Sequence, residues 1–405
     1  GGGPAGFFAA LHYANLQPNA NVIILEKTDR VLQKVLISGG GRCNITHDTH
    51  DPRELIRSYP RGGKALLSAF YGFGPHETLL WFRERGLDLY TDEIGCVFPV
   101  TNKSQSVIDE LLKETARMEV SVWRDAGVEN LEVLEESFRL DLPNENQLFA
   151  KHVLFATGGN RQGLKMLRQI GIPIIDPVPS LFPFKLKETW LAEFAGLSVE
   201  ECAVSIPGTK FSAMGTVLIT HRGISGPGVI RLSSWAARYL KERDYNVPVQ
   251  VDWLPGYGTQ EKTLESLRTW KKENAAKQVT SEIVFPVFAN RLWRGILAQI
   301  PGLSEKRWAD VSKIELMGLN TLLRAMPLTM SARDQHKQEY VTCGGVDLKS
   351  VNLRTMESKL YPGLFFAGEV LDIDGLTGGY NLQNCWTTGW LAGNSLASNG
   401  TWPVC

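Results

Sequence analysis

The sequence lacks the features that mark several large classes of protein. No apolar run approaches the roughly 18 residues that a membrane span requires. No basic segment followed by a hydrophobic one, the mark of a secretory signal, stands at the start. The 43 Lys and Arg equal the 43 Asp and Glu, so the whole chain has no electrostatic footprint for nucleic acid or an anionic membrane. We therefore expect neither partner, and the sequence makes no prediction of oligomeric state.

Paired cysteines are also missing. No C-x-x-C pair occurs among the six cysteines, which are Cys43, Cys96, Cys202, Cys343, Cys385 and Cys405. Scattered cysteines are typical of reduced thiols rather than of a disulfide framework or a zinc site, so we expect a cytoplasmic protein. Asp372 and Asp374 form a D-x-D pair, but no further ligands accompany them at suitable spacing, and no metal is predicted.

Glycine, by contrast, is abundant, with 39 residues in 405, and much of it lies in three clusters. The first, GGGPAG, fits the dinucleotide-binding pattern G-x-G-x-x-G and leads into an apolar helix and a strand that ends at Glu26. Glycines let the backbone turn tightly and let a pyrophosphate approach the helix N-terminus, and Glu26 stands where a carboxylate accepts hydrogen bonds from the adenosine ribose. A plain glycine-rich turn is the alternative. The strand that usually precedes this pattern is not in the sequence, and we expect a segment upstream.

The second cluster is SGGGRCN, residues 38–44. Three successive glycines remove side-chain bulk, so a flat or extended group can lie against the backbone. Arg42 and Asn44 would then donate hydrogen bonds to phosphate or ring carbonyl oxygens. A flexible loop is the alternative interpretation.

The third cluster runs from Gly368 to Gly379 and leads from an apolar strand into an apolar helix. The N-terminus of that helix would attract an anionic centre. Two such helix ends suit a long dinucleotide better than a single phosphate. A separate glycine pair, Gly158 and Gly159, comes directly after an apolar strand and the residues Ala156 and Thr157. Open α/β sheets bind ligands at this carboxyl end of their strands, so Ala156, Thr157 and Gly158 are further candidates.

Helices interleaved with apolar strands predict an α/β fold, interrupted by a module of different character. The expected organisation is a cofactor-binding domain at 1–178, an inserted β-rich domain at 179–256, a helical subdomain at 257–312, a return to the β-rich domain at 313–334, and the second part of the cofactor-binding domain at 335–405.

With these residues laid out, the chain resembles the bacterial flavoprotein family that includes aminoacetone oxidase and the BaiN bile-acid reductase. The stretches that carry the resemblance cover nearly the whole chain in order: GGGPAG, GGGRCN, THRGISGP at 220–227, TCGGV at 342–346, TMESK at 355–359 and GLFFAGEVLDIDGLTGGYNLQ at 363–383. The resemblance implies a discontinuous, Rossmann-like FAD domain of the two-dinucleotide-binding type, with an inserted β-barrel-like unit and a small helical unit.

The resemblance also implies which residues hold FAD. The pyrophosphate would lie on Gly1, Gly3, Pro4, Ala5 and Gly6, and the adenosine end on Glu26, Lys27 and the backbone of Val128. The flavin side would be lined by Gly40, Gly41, Arg42, Cys43 and Asn44. The ribityl chain and ring would be closed over by Gly368, Glu369, Gly379, Tyr380, Asn381 and Leu382.

Catalytic residues are harder to assign, because a flavin carries the redox chemistry itself. His221 and Arg222 are candidates for proton transfer and carbonyl orientation. The alternative is a structural turn in which His221 only satisfies backbone groups. Since only one full G-x-G-x-x-G occurs, a nicotinamide such as NAD(P)H would dock directly at the flavin face as a transient reductant, or oxygen would be the oxidant.

The function predicted from these observations is an FAD-dependent oxidoreductase that transfers a hydride between flavin N5 and a small organic substrate, either an amine or an enone or ketone. Three alternatives stay open: a flavin-containing RNA-modification protein of the same fold, an NAD-only dehydrogenase, and a non-catalytic nucleotide sensor. Neutral charge disfavours the first, and the extra glycine clusters disfavour the second.

Overall fold

The computed structural model describes residues 1–334 and 341–398, so the expected domain start at 335 and Cys405 lie outside the described residues. The helices are α1 Pro4–Leu16, α2 Gln33–Gly41, α3 Pro52–Leu55, α4 Gly63–Gly72, α5 Pro75–Arg83, α6 Ser104–Arg117, α7 Arg161–Gln169, α8 Pro227–Trp235, α9 Ala237–Glu242, α10 Gln260–Glu273, α11 Asn290–Leu297, α12 Lys313–Arg324 and α13 Tyr380–Ala397. The strands are β1 Ile23–Leu25, β2 Thr46–His47, β3 Leu89–Thr91, β4 Cys96–Pro99, β5 Ser121–Trp123, β6 Asn130–Val133, β7 Phe138–Asp141, β8 Gln147–Ala150, β9 Val153–Phe155, β10 Ile174–Ser180, β11 Phe184–Leu186, β12 Ser198–Ser205, β13 Ser212–Thr220, β14 Gly223–Ser225, β15 Val247–Asp252, β16 Met326–Arg333, β17 Val341–Val346, β18 Val351–Asn352, β19 Glu357–Ser358 and β20 Leu364–Phe366.

The chain divides into two compact units, the first made of residues 1–179 and those from 341 onward, the second of residues 180–340. The first unit contains two parallel strand pairs. Strand β1 pairs with β5, and β9 pairs with β20, far apart in sequence. Parallel pairs need crossover connections, and the helices between these strands supply them. The predicted α/β class is confirmed.

Helices α1 and α13 pack closely because glycine removes side chains from their contact. A Cβ atom at Gly389 would lie 2.7 Å from the carbonyl oxygen of Ala5, and one at Gly393 would lie 2.6 Å from that of Ala9. Contacts that advance by four residues on both helices mean that the two run in the same direction. The first unit therefore holds two parallel helices whose N-termini both follow a glycine cluster.

The second unit is built around a closed six-stranded barrel with the strand order β11-β14-β13-β12-β15-β16. This confirms the inserted barrel that the resemblance implies. The return to β structure comes later than expected, because residues 313–324 form helix α12 and the barrel resumes at Met326. A capping box starts this helix: Ser312 and Glu315 exchange backbone-to-side-chain hydrogen bonds of 2.8 and 3.2 Å.

Three general properties complete the description of residues 1–334 and 341–398. Within these ranges, no helix combines the length and apolarity needed to cross a bilayer. The five cysteines that they contain are buried and form no disulfide. No group of three or more His, Cys, Asp or Glu side chains in them is placed to hold a metal ion.

Candidate cofactor site

The glycine turn before α1 contains glycines of two kinds. A Cβ atom at Gly1 would lie 2.5 Å from the carbonyl oxygen of Ala156, and one at Gly6 would overlap the carbonyl oxygen of Gly1. Packing therefore requires glycine at both. Gly3 is different, because its φ of −94° suits any residue and a Cβ atom there would meet no protein atom within 4 Å. Open space thus lies against the backbone at the N-terminus of α1.

The N-terminus of α1 is suited to bind an anion. Helix α1 has Pro4 in its first turn, no acidic residue there and no side chain that caps its free N–H groups. Such an end binds phosphate through its N–H groups and its dipole. The space at Gly3 is where a pyrophosphate would approach, so the residues present fit the phosphate part of a dinucleotide.

Glu26 stands at the end of β1 and is bonded to the glycine turn. Its Oε2 accepts a hydrogen bond of 2.9 Å from the N–H of Gly2. Its Oε1 accepts bonds of 3.1 and 3.0 Å from the N–H and hydroxyl of Thr28. A carboxylate has about four lone-pair positions, so one remains for a ribose hydroxyl. The structure thus holds Glu26 beside the phosphate end of the turn.

The segment before β6 lies beside the predicted adenosine end. The N–H of Ala126 donates to the carbonyl of Glu26 at 2.8 Å, and a Cβ atom at Gly127 would lie 2.8 Å from the Cβ of Lys27. Val128 precedes β6 and does not belong to it. Its backbone is therefore free of strand pairing in β6, and Val128 stays a proposed adenine contact.

Glu26→Ala is expected to raise the Kd for FAD about 10-fold, because charge-assisted hydrogen bonds contribute about 1.5–3 kcal/mol. Titration of the apoprotein with FAD, followed by flavin fluorescence, measures this change. Asp29→Asn is the matched control, since Asp29 is exposed and pairs with its neighbour Arg30 at 3.5 Å. Unchanged affinity in Glu26→Ala would refute the ribose assignment.

The carboxyl end of β9 forms the opposite wall of the glycine turn. A Cβ atom at Gly1 would lie 3.2 Å from the Cα of Thr157, so Ala156 and Thr157 back the turn directly. Gly158 has a φ of +60°, and a Cβ atom there would come within 3.6 Å of Glu369 Oε2. The predicted residues at the ends of β9 and β20 are therefore neighbours.

The second glycine cluster unwinds the end of α2. Gly39, Gly40 and Gly41 have φ values of +57°, +66° and +84°, in the left-handed region that favours glycine. A Cβ atom at Gly40 or Gly41 would meet no protein atom within 4 Å, so this loop also leaves space against its backbone. The Arg42 guanidinium lies 4.3 Å from the centre of the Phe98 ring. An extended ligand group fits this surface.

The end of this loop is tied to the third cluster. In the orientation that its neighbours select, the Asn44 amide donates to the carbonyl of Thr46 at 2.8 Å and accepts from the N–H of Gly379 at 3.2 Å. Cys43 is fully buried, and burial raises the pKa of its thiol to about 12. Only the backbone of Cys43 can therefore line a ligand, and the thiol is a packing group.

The N-terminus of α13 is shaped by its own glycines. Gly379 has a φ of +89°, and a Cβ atom there would lie 2.5 Å from the backbone of Thr46. The ring of Tyr380 stacks on His47 with centroids 4.9 Å apart. Leu382 is buried in the core, 9% exposed. The N–H of Gly379 already donates to Asn44. The backbone N–H groups of Tyr380 and Leu382, in the first turn of α13, are therefore the ones suited to meet an anionic ring edge.

Asn381 has a local structural task. Its Oδ1 accepts from the N–H of Gly375 at 2.8 Å, and its Nδ2 donates to the carbonyls of Gly375 and Leu376 at 2.9 and 3.3 Å. The amide thus fixes the loop that leads into α13. We infer that Asn381 shapes the predicted flavin site through this loop, with its side chain already committed.

Two further anchors of the same loop were missed by the sequence analysis. The buried carboxylate of Asp374 forms a two-point ion pair with the guanidinium of Arg61. The Tyr59 hydroxyl donates to the carbonyl of Tyr380 at 2.7 Å. The D-x-D pattern drew attention to Asp374 only as a metal ligand. Nothing near Arg61 in the sequence indicated its partner.

The structure brings the predicted cofactor residues of the first unit together. A Cβ atom at Gly368 would lie 2.8 Å from the Cβ of Ala5 on α1 and 3.2 Å from the sulfur of Cys385 on α13. Combined with the Asn44–Gly379 and Gly1–Ala156 contacts, this joins all three glycine clusters and the end of β9. Three glycine clusters joined in this way, with two helix N-termini, fit an elongated dinucleotide.

The two catalytic candidates lie in the second unit. His221 and Arg222 form the tight turn between β13 and β14, and both are exposed. Arg222 Nη1 lies 3.6 Å from Asp334 Oδ1. Gly223 is required in this turn, because its φ is +156° and a Cβ atom there would overlap the carbonyl of Phe184. Their role in catalysis stays a proposal.

A Rossmann-type fold interrupted by a barrel, with its glycine clusters joined in this way, is that of an FAD-dependent oxidoreductase. Its family can be stated directly. The chain belongs to the family described as HI0933-like protein Rossmann domain, whose model matches residues 1–395. The resemblance found in the sequence is thereby confirmed, as are the fold class and the enzyme class.

Two curated relatives match almost end to end. The chain is 30% identical over 420 residues to a 3-dehydro-bile acid delta(4,6)-reductase of Clostridium scindens, covering 98% of both chains. It is 28% identical over 415 residues to a ribosomal RNA dihydrouridine synthase of Haemophilus influenzae, covering 98% of this chain and 97% of that one.

Among solved structures, the 3-ketosteroid-delta4-(5alpha)-dehydrogenase of Rhodococcus jostii shares the fold. It aligns with a TM-score of 0.50 and 13% identity, covering 98% of this chain and 95% of that chain. At this identity the likeness concerns the fold alone.

Proposed function

We propose that this protein reduces a carbon–carbon double bond conjugated to a carbonyl group. The reaction adds a hydride to the β carbon and a proton to the α carbon of the substrate. Both curated relatives bear names that describe such a reduction, since dihydrouridine is uridine with its conjugated ring double bond saturated and a delta(4,6)-reductase of a 3-dehydro steroid acts on an enone. Of the amine and enone substrates predicted above, the enone is therefore favoured.

Bound FAD would supply hydride transfer at its N5 atom. The residues of the chain supply binding and electrostatics. Gly3 and the N-terminus of α1 would hold the pyrophosphate, and the N–H groups at the start of α13 would face negative charge on the ring. His221 and Arg222 remain the candidates to polarise the substrate carbonyl and to deliver the proton, roles that an imidazole and a guanidinium can fill.

The reductant and the cellular location are each inferred from a separate observation. We propose that NAD(P)H reduces the flavin by docking at the flavin face, because the sequence contains one full G-x-G-x-x-G pattern. We place the reaction in the cytoplasm, since the five described cysteines are unbridged and free thiols persist in that compartment.

The leading substrate is a small organic enone, and a uracil base in ribosomal RNA is the second candidate. The relative from Haemophilus influenzae favours the second by its name. The charge distribution also favours it, because Lys and Arg outnumber Asp and Glu by 21 to 16 between residues 180 and 340. Whole-chain neutrality therefore hides a basic second unit, and it no longer argues against a nucleic-acid substrate.

Anaerobic turnover separates these possibilities. Reduced protein is mixed with a panel of cyclic enones, steroid 4-en-3-ones, primary amines and ribosomal RNA that lacks dihydrouridine, and flavin reoxidation is followed at 450 nm. We expect reoxidation by a conjugated carbonyl compound, or dihydrouridine detected by mass spectrometry in the RNA arm. Reduction of the oxidised flavin by amines, with no reoxidation by either double-bond substrate, would contradict the proposal.

A further inference from the structure

An ion pair beside the predicted cofactor residues joins Glu369, which the resemblance assigns, to Lys34, which neither the glycine pattern nor the resemblance assigns. The ammonium of Lys34, in the first turn of α2, pairs with Oε2 of Glu369, just after β20. The other carboxylate oxygen, Oε1, accepts a 2.8 Å hydrogen bond from the N–H of Thr342. Glu369 is 14% exposed and Lys34 is 55% exposed. The carboxylate is thus held from two sides, and the lysine can swing away.

The pair lies beside the glycine turn. The N–H of Leu32, two residues before Lys34, donates to the carbonyl of Gly2 at 2.7 Å, so the start of α2 is bonded to that turn. A Cβ atom at Gly158 would lie 3.9 Å from Lys34 Nζ. The end of β9 that carries Gly158 also backs the turn. Lys34 therefore places a positive charge beside both the glycine turn before α1 and the carboxyl end of β9.

We propose that Lys34 is a cofactor-binding residue that exchanges Glu369 for the diphosphate of the dinucleotide when FAD binds. This inference rests on the FAD assignment. Lys34 is more than half exposed, so solvent screens the ion pair and breaking it costs little. A diphosphate offers the ammonium about two negative charges, and the flexible four-carbon stem of lysine allows the move.

The exchange also prepares Glu369. Its Oε1 stays bonded to Thr342, so the carboxylate keeps its position after Lys34 leaves. The released Oε2 is then available to accept a hydrogen bond from a cofactor hydroxyl. In the apoprotein the ion pair thus satisfies both charges. When FAD binds, the diphosphate replaces Glu369 as the partner of Lys34, and a cofactor hydroxyl replaces Lys34 as the partner of Glu369.

The test measures Kd values of the apoprotein for FAD, and for ADP by competition, at two salt concentrations. Lys34→Met is expected to raise both Kd values about 10-fold and to flatten their salt dependence. Lys34→Arg keeps the charge and should stay within about 3-fold of the wild type. Lys64→Met, an exposed lysine on α4, is the matched control and should change neither value.

For ADP, Glu369→Gln is not expected to raise the Kd as Lys34→Met does. Without its carboxylate partner Lys34 is free, so ADP should bind as tightly as to the wild type or more tightly, while FAD binds more weakly. Unchanged Kd values in Lys34→Met, or ADP binding weakened equally in both variants, would overturn the exchange. Wild-type protein that fails to bind FAD would instead refute the cofactor assignment, so the two failures are distinguishable.

Discussion

Gly3→Ala is expected to weaken FAD binding at least about 100-fold while changing the free energy of unfolding of the apoprotein by about 1 kcal/mol or less. The reason is that a Cβ atom at Gly3 meets no protein atom within 4 Å and the backbone there has an ordinary φ of −94°. The apoprotein thus has room for the methyl group. A pyrophosphate that approaches this backbone does not.

Gly3→Ser sharpens this prediction. Serine caps a helix N-terminus well, so this variant should hold or raise apoprotein stability while filling the same space. Gly256→Ala is the control, since a Cβ atom there would meet only Glu201 Oε2, at 3.8 Å, and the residue is exposed in the second unit. FAD titration and urea unfolding measure the two quantities. Wild-type FAD affinity in both Gly3 variants would mean that the space serves no cofactor.

Asp374→Ala is expected to lower the free energy of unfolding by about 3–5 kcal/mol, because it leaves a largely buried guanidinium without its carboxylate. Asp374 is 0% exposed and Arg61 is 16% exposed. Burial alone would lower the pKa of Arg61, but the hydrogen bond and charge of Asp374 outweigh it and raise that pKa. The same loop leads to the N-terminus of α13, so FAD affinity should fall as well.

Urea unfolding of the apoprotein checks the stability change. Replacing both partners, with Arg61→Met added to Asp374→Ala, should recover part of the loss, because no uncompensated charge then stays buried. Glu132→Ala is the control: Glu132 pairs with Arg139 at the surface, 45% exposed, and should contribute about 1 kcal/mol or less. A loss below about 1 kcal/mol in Asp374→Ala would contradict the role given to this pair.

Local patterns predicted the parts of this protein that are local in sequence. One example is the first 26 residues, which contain the glycine turn, helix α1 and the strand before Glu26. The spacing of these elements indicated a dinucleotide site. The sequence also contained a signal against the predicted return to β structure at residue 313. Ser312 and Glu315 form an S-x-x-E capping box, which marks the start of helix α12.

The contacts that hold the site together could not be predicted in the same way. Arg61 and Asp374 are separated by 313 positions, and Lys34 and Glu369 by 335. No periodicity or motif links residues at such distances, since only the folded sheet and helices bring them together. The resemblance assigned Asn381 to the cofactor, and the structure adds that its amide is bonded to its own loop, which sequence position alone did not indicate.

The amount and identity of the nucleotide held by the protein test the central claim most directly. The purified protein is incubated with excess FAD, freed of unbound ligand and denatured, and the supernatant is analysed by chromatography and mass spectrometry. The structure predicts one FAD per chain, with the yellow spectrum of a bound flavin before denaturation. A colourless protein that releases no nucleotide, or one that releases only NAD, would contradict the account.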